Sequence, residues 1–131
     1  IESKPLTVVG DGNQKRDFTY VSDIVEAFYK CVFYNGKINI FNVGTGKPQS
    51  VNKIVKILNC KKIKIPKRPG EPEITHANIK LVKRELNWSA KISLDKGISL
   101  ILKELEYWKK APLWTPSKIK KATVEWFKHI K

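Results

Sequence analysis

The sequence predicts an α/β fold, and two observations carry that reading. Short β-rich runs alternate with stretches whose apolar residues recur every three or four positions. Turns rich in Gly, Asn and Pro separate the two kinds of segment. A third observation qualifies the fold. Two or three strands are too few for a stable doubly wound sheet, so Lys37–Val43 is expected to join a sheet whose other strands lie upstream.

The elements follow in chain order. Pro5 to Val9 reads as a short strand ending at Gly10, and Gly10-Asp11-Gly12-Asn13 as a turn. Phe18-Thr19-Tyr20-Val21 reads as another short strand. Ser22 or Asp23 is the expected cap of a helix over 23–34, with Ile24, Ala27, Phe28, Cys31 and Val32 on its apolar face and Asn35-Gly36 as its stop. Lys37 to Val43 is a buried strand ended by Gly44-Thr45-Gly46. Ser50 caps a helix over 51–59, with Val51, Ile54, Val55 and Leu58 inward. Ile63-Lys64-Ile65 is a short strand, and the prolines at 66, 69 and 72 make a stiff loop. A helix over 78–86 turns Ile79, Val82 and Leu86 inward. Ser93 caps another over 94–109, striped by Leu94, Gly97, Ile98, Ile101, Leu102, Leu105 and Trp108. Thr115 and Pro116 start a last helix whose face carries Ile119, Ala122, Thr123, Trp126, Phe127 and Ile130.

Composition narrows the function classes. The chain of 131 residues suits one domain or part of a larger one. An apolar fraction of 41% argues against a disordered tail, and no apolar run is long enough to span a membrane. No secretory leader is visible. The chain has no Met and starts at Ile1, so the expectation is a cut point with an N-terminal part missing. Cys31 and Cys60 read as buried thiols in a reducing cytosol, and a cytoplasmic location is expected. With His76 and His129 far from both, no metal site is expected. The net charge of +14 is almost all lysine, spread over the helices. It reads as solvated surface that draws an anionic ligand rather than as a nucleic-acid reader.

Two of the three arginines sit in the two stiffest loops. Arg16 follows the glycine turn, where its guanidinium can fork onto a diphosphate. An ion pair with Asp17 or Asp23 is the other reading, and both stay open. Arg68 and Glu71 lie in the proline loop, which holds an arginine's aim at little entropic cost. Glu71 can accept hydrogen bonds from ribose hydroxyls, or the two can form an exposed loop charge pair. The run Gly44-Thr45-Gly46-Lys47 is not a P-loop, because the first glycine would have to be Phe41. Neither glycine pair completes G-x-G-x-x-G. His76 reads as an exposed loop histidine, the tryptophans as packing residues, and Asp17, Asp23, Glu26 and Asp95 as caps and surface charges. No carboxylate pair demands acid–base chemistry.

Four motifs stand in order: G-D-G-N-Q-K-R-D-F-T-Y-V-S-D at 10–23, I-F-N-V-G-T-G at 40–46, R-P-G-E at 68–71 and L-N-W-S-A-K-I-S-L-D-K-G-I at 86–98. Together they resemble the C-terminal part of NAD-dependent nucleotide-sugar epimerases and dehydratases, extended short-chain dehydrogenase/reductases of the UDP-glucose 4-epimerase type. The resemblance runs from about residue 4 to 109. It implies a fold class: the substrate-binding part of an extended Rossmann-type enzyme, without the N-terminal NAD-binding βαβ units. By position, Thr7 and Val9 resemble the strand residues beside the base. Arg16 and Arg68 resemble the two diphosphate arginines, and Glu71 the acidic residue on the ribose. Asp17, Tyr20 and Asp23 match positions read as structural. Asn87 stands where the family has glycine, and Ala90 where it has proline.

The resemblance also implies the division of labour. Residues 1–110 are the nucleotide-sugar-binding region, with 36–46 a strand of the missing sheet, and 111–131 are a helical extension. NAD is expected for the full-length parent, held mainly by its N-terminal domain, with no cofactor bound by this chain alone. The catalytic Tyr-x-x-x-Lys is missing, since the residues four after Tyr20, Tyr29, Tyr34 and Tyr107 are Ile24, Phe33, Ile38 and Ala111. No catalytic residue is therefore assigned. The expected partners are a nucleotide-diphosphate sugar and the missing Rossmann domain. Family dimers form through helices upstream of this segment, and Trp126 and Phe127 are offered to the missing domain or a second subunit. A free-standing nucleotide-sugar-binding module and a basic nucleic-acid-binding protein are the alternatives. The base, the sugar and the choice between epimerisation and dehydration are not encoded in these motifs.

Overall fold

A computed structural model describes residues 5–67, 70–111, 121 and 124 of the chain. Its elements are β1 (Leu6–Val9), β2 (Lys15–Arg16), α1 (Val21–Val32), β3 (Gln49–Ser50), α2 (Val51–Ile57), β4 (Lys62–Ile65), α3 (Lys80–Leu86), α4 (Leu94–Lys103) and α5 (Leu105–Trp108). β1 and β4 pair in parallel, with Leu6 opposite Lys62 and Val9 opposite Ile65. β2 and β3 pair antiparallel, with Lys15 opposite Ser50 and Arg16 opposite Gln49. Lys15 also bridges Ile74 on its other side. The glycine turn thus lies between two small sheets and is tied to both.

The helices start and stop where side-chain chemistry allows. The Ser50 hydroxyl accepts from Lys53 N–H and the Ser93 hydroxyl from Lys96 N–H, both at 3.2 Å, so each expected cap is in place. α3 ends at Asn87, which turns left-handed at φ 44° and ψ 47°. The Lys30 ammonium reaches the exposed carbonyls of Leu86 and Asn87 at that end, at 3.2 and 3.1 Å.

One core joins α1, α3 and the segment after it. Ala27, Val82, Leu86 and Trp88 are buried together, with Tyr34, Phe41, Val43, Ile79 and Ala90 packed around them. The Trp88 indole donates to the Asp23 carbonyl at 3.0 Å, and the buried Asp23 carboxylate accepts from Ile92 N–H at 2.9 Å. These two bonds pin the chain between α3 and α4 onto the first turn of α1.

Several expectations are corrected. The strand near Arg16 is Lys15–Arg16, because the partners Gln49–Ser50 and Ile74 lie opposite those residues and not opposite Phe18–Tyr20. α1 starts at Val21 with an uncapped Tyr20 before it, so Ser22 and Asp23 lie inside the helix. Asp23 is buried rather than a surface charge, since it satisfies Ile92. α1 buries Asp23 and Ala27, while Phe28, Cys31 and Val32 of the expected stripe are exposed. Nothing among the described residues covers that side. Cys60 is exposed as well, because it follows the end of α2, so neither thiol is buried. Lys37–Val43, expected to pair with strands upstream of this chain, has no strand partner among the described residues: Ile38, Phe41 and Val43 are half-buried rather than buried, with Asn39, Ile40 and Asn42 exposed between them. A ladder needs a neighbour, and no described strand lies beside it. The helix over 94–109 breaks at Glu104, and Trp108 is half exposed rather than packed. The helix expected from Thr115, and with it Trp114 and Trp126, falls mostly outside the described residues. Within it Lys121 and Val124 are helical and exposed.

Candidate functional site

The turn after β1 is built around two glycines. Gly10 and Gly12 have φ of 61° and 82°, the left-handed region that suits glycine. A Cβ on Gly12 would come within 2.5 Å of the Asn52 side chain and 2.8 Å of Val8, so no larger residue fits. Asp11 folds back to accept from Asn13 N–H and from its side-chain amide, both at 2.9 Å. The first of these bonds leads in holding its carboxyl below the ordinary value. Asn52 of α2 donates to the Asp11 carbonyl and the Asn13 side chain, each at 3.0 Å, and the Gln14 amide donates to the Val9 carbonyl at 3.0 Å. The turn is therefore held from both sides before it delivers Arg16.

Arg16 meets the proline loop. Its Nη1 donates to the carbonyls of Lys15 and Pro72 at 2.8 and 2.9 Å, and its Nη2 to Glu71 Oε1 at 3.0 Å. Both side chains of the ion pair are about three-quarters covered, at 24% and 25% exposure. Three N–H groups are used, so Nε–H and one Nη2–H have no partner among the described residues. Glu71 Oε2 is buried with no hydrogen-bond partner among them. Beside this pair lies a cleft of about 310 Å³, lined by Val9, Gly10, Asp11, Gln14, Lys67, Glu71, Pro72 and Glu73. Lys67 is ion-paired with Glu73, which raises its pKa.

Asp17 does different work. Its two oxygens accept from Thr45 N–H at 2.8 Å, Gly46 N–H at 2.9 Å, Ala77 N–H at 3.1 Å and the Thr45 hydroxyl. Burial pushes its carboxyl up. The Thr45 hydroxyl and the three backbone donors more than offset this and hold it below the ordinary value. The Thr45 and Gly46 N–H groups, which a cofactor phosphate at this turn would need, are thus taken by Asp17. Gly44 is small because Ala77 and Asp17 press on it: a Cβ there would lie 2.7 and 2.8 Å from them. Neither glycine turn opens a helix, since one leads to β2 and the other to β3. The described residues do not fit the pyrophosphate of a dinucleotide. No group of three metal-ligating side chains occurs among them either.

Of the residues singled out in the sequence, Val9 and Glu71 line one cleft, and Arg16 stands behind its wall, bonded to Glu71 and Pro72. Thr7 is exposed on β1, two positions before Val9 and so on the same face of the strand. Arg68 lies outside the described residues. Arg16 pairs with neither Asp17 nor Asp23, because Glu71 occupies its fork. His76 is exposed and lines no described cleft. Sequence reasoning missed Asp11, Gln14, Lys67 and Glu73 as lining residues. The signal for the first two was their place inside the glycine turn.

The family is shown by comparison: residues 1–101 match the family described as GDP-mannose 4,6 dehydratase. The chain belongs to this family of extended short-chain dehydrogenase/reductases, the nucleotide-sugar epimerases and dehydratases. It is 38% identical over 104 residues to a UDP-glucuronate 4-epimerase of Thermodesulfobacterium geofontis, covering 74% of this chain and 32% of that protein. It is 32% identical over 110 residues to a dTDP-4-dehydro-6-deoxyglucose reductase of Escherichia coli, covering 77% of this chain and 34% of the relative. Its fold is similar to the UDP-glucuronic acid 4-epimerase of Bacillus cereus in complex with UDP-glucuronic acid and NAD, with a TM-score of 0.72 and 31% identity over 82% of this chain and 37% of that one. The UDP-glucose 4-epimerase of Thermotoga maritima with UDP-glucose gives a TM-score of 0.74 at 27% identity, over 82% and 37% of the two chains. The chain spans about a third of the length of the curated relatives it matches. No helix among the described residues is long and apolar enough to cross a membrane.

Proposed function

We infer that this chain is the nucleotide-diphosphate-sugar-binding part of an NAD-dependent epimerase or dehydratase. The observation that carries the reading is the ion pair of Arg16 with Glu71, 55 positions away in sequence, since Glu71 lines the cleft and Arg16 backs it. The Nε edge of Arg16 keeps capacity for diphosphate oxygens, and the Glu71 carboxylate, whose Oε2 is buried without a partner, turns towards the cleft to accept from ribose hydroxyls. Thr7 and Val9 take the side of the base, and Arg68 adds a second cation to the diphosphate. Three carboxylates, Asp11, Glu71 and Glu73, crowd this cleft. The arginines are therefore needed to make it receptive to an anion.

The catalytic tyrosine–lysine pair is absent from the chain, so the reaction belongs to a parent that supplies it. In such a parent NAD would supply reversible hydride transfer at a sugar carbon, and its N-terminal domain rather than this chain's residues would hold it. The uncovered apolar side of α1 and the unpaired 36–46 segment form the seam for the Rossmann part, with 36–46 as a strand of its sheet. Exposed, unpaired Cys31 and Cys60 fit a cytoplasmic protein.

Calorimetric titration with UDP, UDP-glucose, dTDP-glucose and a short DNA duplex tests the reading, at low and moderate salt. We expect one nucleotide to bind saturably, with Arg16→Ala and Glu71→Gln each weakening it at least tenfold, or about 1.4 kcal/mol. Salt-sensitive binding of the duplex alone would overturn the reading and leave charge as the only message.

A further inference from the structure

Two separate apolar faces of the described structure lie uncovered. One belongs to α1 and the 37–43 segment, the seam just assigned. The other runs along α4 and α5. There Ile101, Leu102 and Trp108 are 47%, 41% and 50% exposed. They continue a groove of about 260 Å³ between Phe18, Tyr20, Ile54 and Ile98. Gly97 lets α4 approach this closely, since a Cβ there would lie 3.0 Å from the Tyr20 ring. We propose that the chain's own C-terminal segment, Pro112–Lys131, covers this second face, folding back antiparallel to α4 and α5.

Connectivity favours this occupant over a foreign one. α5 ends at Trp108 and the described chain reaches Ala111 directly beside the face. Pro112 and Pro116 permit a short turn but not a continued helix, and short helix–helix connections make antiparallel neighbours. The lengths match. A helix over 117–130 spans about 21 Å, and Leu94–Trp108 about 22 Å. The chemistry matches too, since Ile119, Ala122, Trp126, Phe127 and Ile130 recur on one face with helical period. Lys121 and Val124 lie off that stripe. They are the two residues of the segment whose placement is described, and both are helical and exposed. A hairpin centred near Leu113 sets Leu105 opposite Ala122 and Ile101 opposite Trp126. This proposal is independent of the nucleotide-sugar reading.

The test is disulfide trapping in the full chain with Cys31→Ser and Cys60→Ser. The pairs are Leu105→Cys with Ala122→Cys and Ile101→Cys with Trp126→Cys. Leu105→Cys with Lys121→Cys is the control, because Lys121 points away from the stripe. Far-UV circular dichroism checks that each variant folds. We expect an intrachain disulfide in most molecules of at least one test pair, independent of protein concentration, and none in the control. A dimeric disulfide that fades on dilution would overturn the proposal by giving the face to a second copy. Folded variants with no disulfide in either test pair would also overturn it.

Discussion

Asp17 joins three segments through one carboxylate: the chain just after β2, the 44–46 turn and the start of the 77–79 stretch. Asp17→Asn keeps one acceptor oxygen and turns an amide towards the remaining N–H donors. Each donor left buried without a partner costs about 1–3 kcal/mol, so we expect a loss of about 3 kcal/mol in urea unfolding at pH 7. The pH dependence follows from the same contacts. The folded carboxyl titrates below its unfolded value of about 4. Its contribution is complete above that value and is lost as the pH falls through the lower folded one. Asp17→Asn should therefore flatten the acid limb of the stability curve below about pH 4. Asn87 makes a second prediction. In its left-handed conformation, Asn87→Ala should cost about 1 kcal/mol, while Asn87→Gly should match or exceed the parent chain in thermal unfolding. Local signals of this kind were readable from the sequence. Ser50 and Ser93 each act within three residues of their partners, where spacing alone decides. Arg16 was not fully readable, because its true partner Glu71 arrives from a distant loop that only the tertiary fold brings near.

Among the elements, α1 and α3 depend on Trp88 more than on their own propensities. α3 has seven residues, too short to persist alone, and its N-cap residue Ile79 offers no side-chain acceptor, leaving only Asn78 to accept from Lys80 N–H at 3.2 Å. Trp88 fills the space between α1 and α3 and spends its one N–H on the Asp23 carbonyl. Trp88→Phe removes both volume and donor, and should cost about 2 kcal/mol in urea unfolding. Helical period placed the α3 stripe correctly, at Ile79, Val82 and Leu86. The same rule misplaced the face of α1. Its apolar residues spread around more than one side, and burial chose Asp23 and Ala27 because Trp88 and Ile92 sit there. Period tells where a helix could be buried, and only the neighbours tell where it is. The two-residue strands β2 and β3 were invisible for a related reason: they are short, and their pairing is set by Asn52 and the 73–75 segment rather than by β propensity.

For the whole molecule, the decisive feature is the apolar surface that the described residues leave open. Val21, Val25, Phe28, Tyr29, Val32 and Phe33 all project from α1 with more than half of their surface exposed. A patch of this kind on a lone domain marks an interface. Its side chains add nothing to the stability of this chain, because they touch little of it. Phe28 and Val32, 71% and 76% exposed, are the sharpest test. Replacing both with serine should change urea unfolding by no more than about 0.5 kcal/mol per site. It should also lower the fluorescence of a hydrophobic dye bound to the native chain and reduce self-association on a sizing column. If α1 were part of this chain's own core, the same double variant would unfold at clearly lower urea and bind more dye. The two readings thus predict opposite signs for dye binding. If dye binding falls while stability holds, this side of α1 is a seam awaiting another body, as the Rossmann assignment requires.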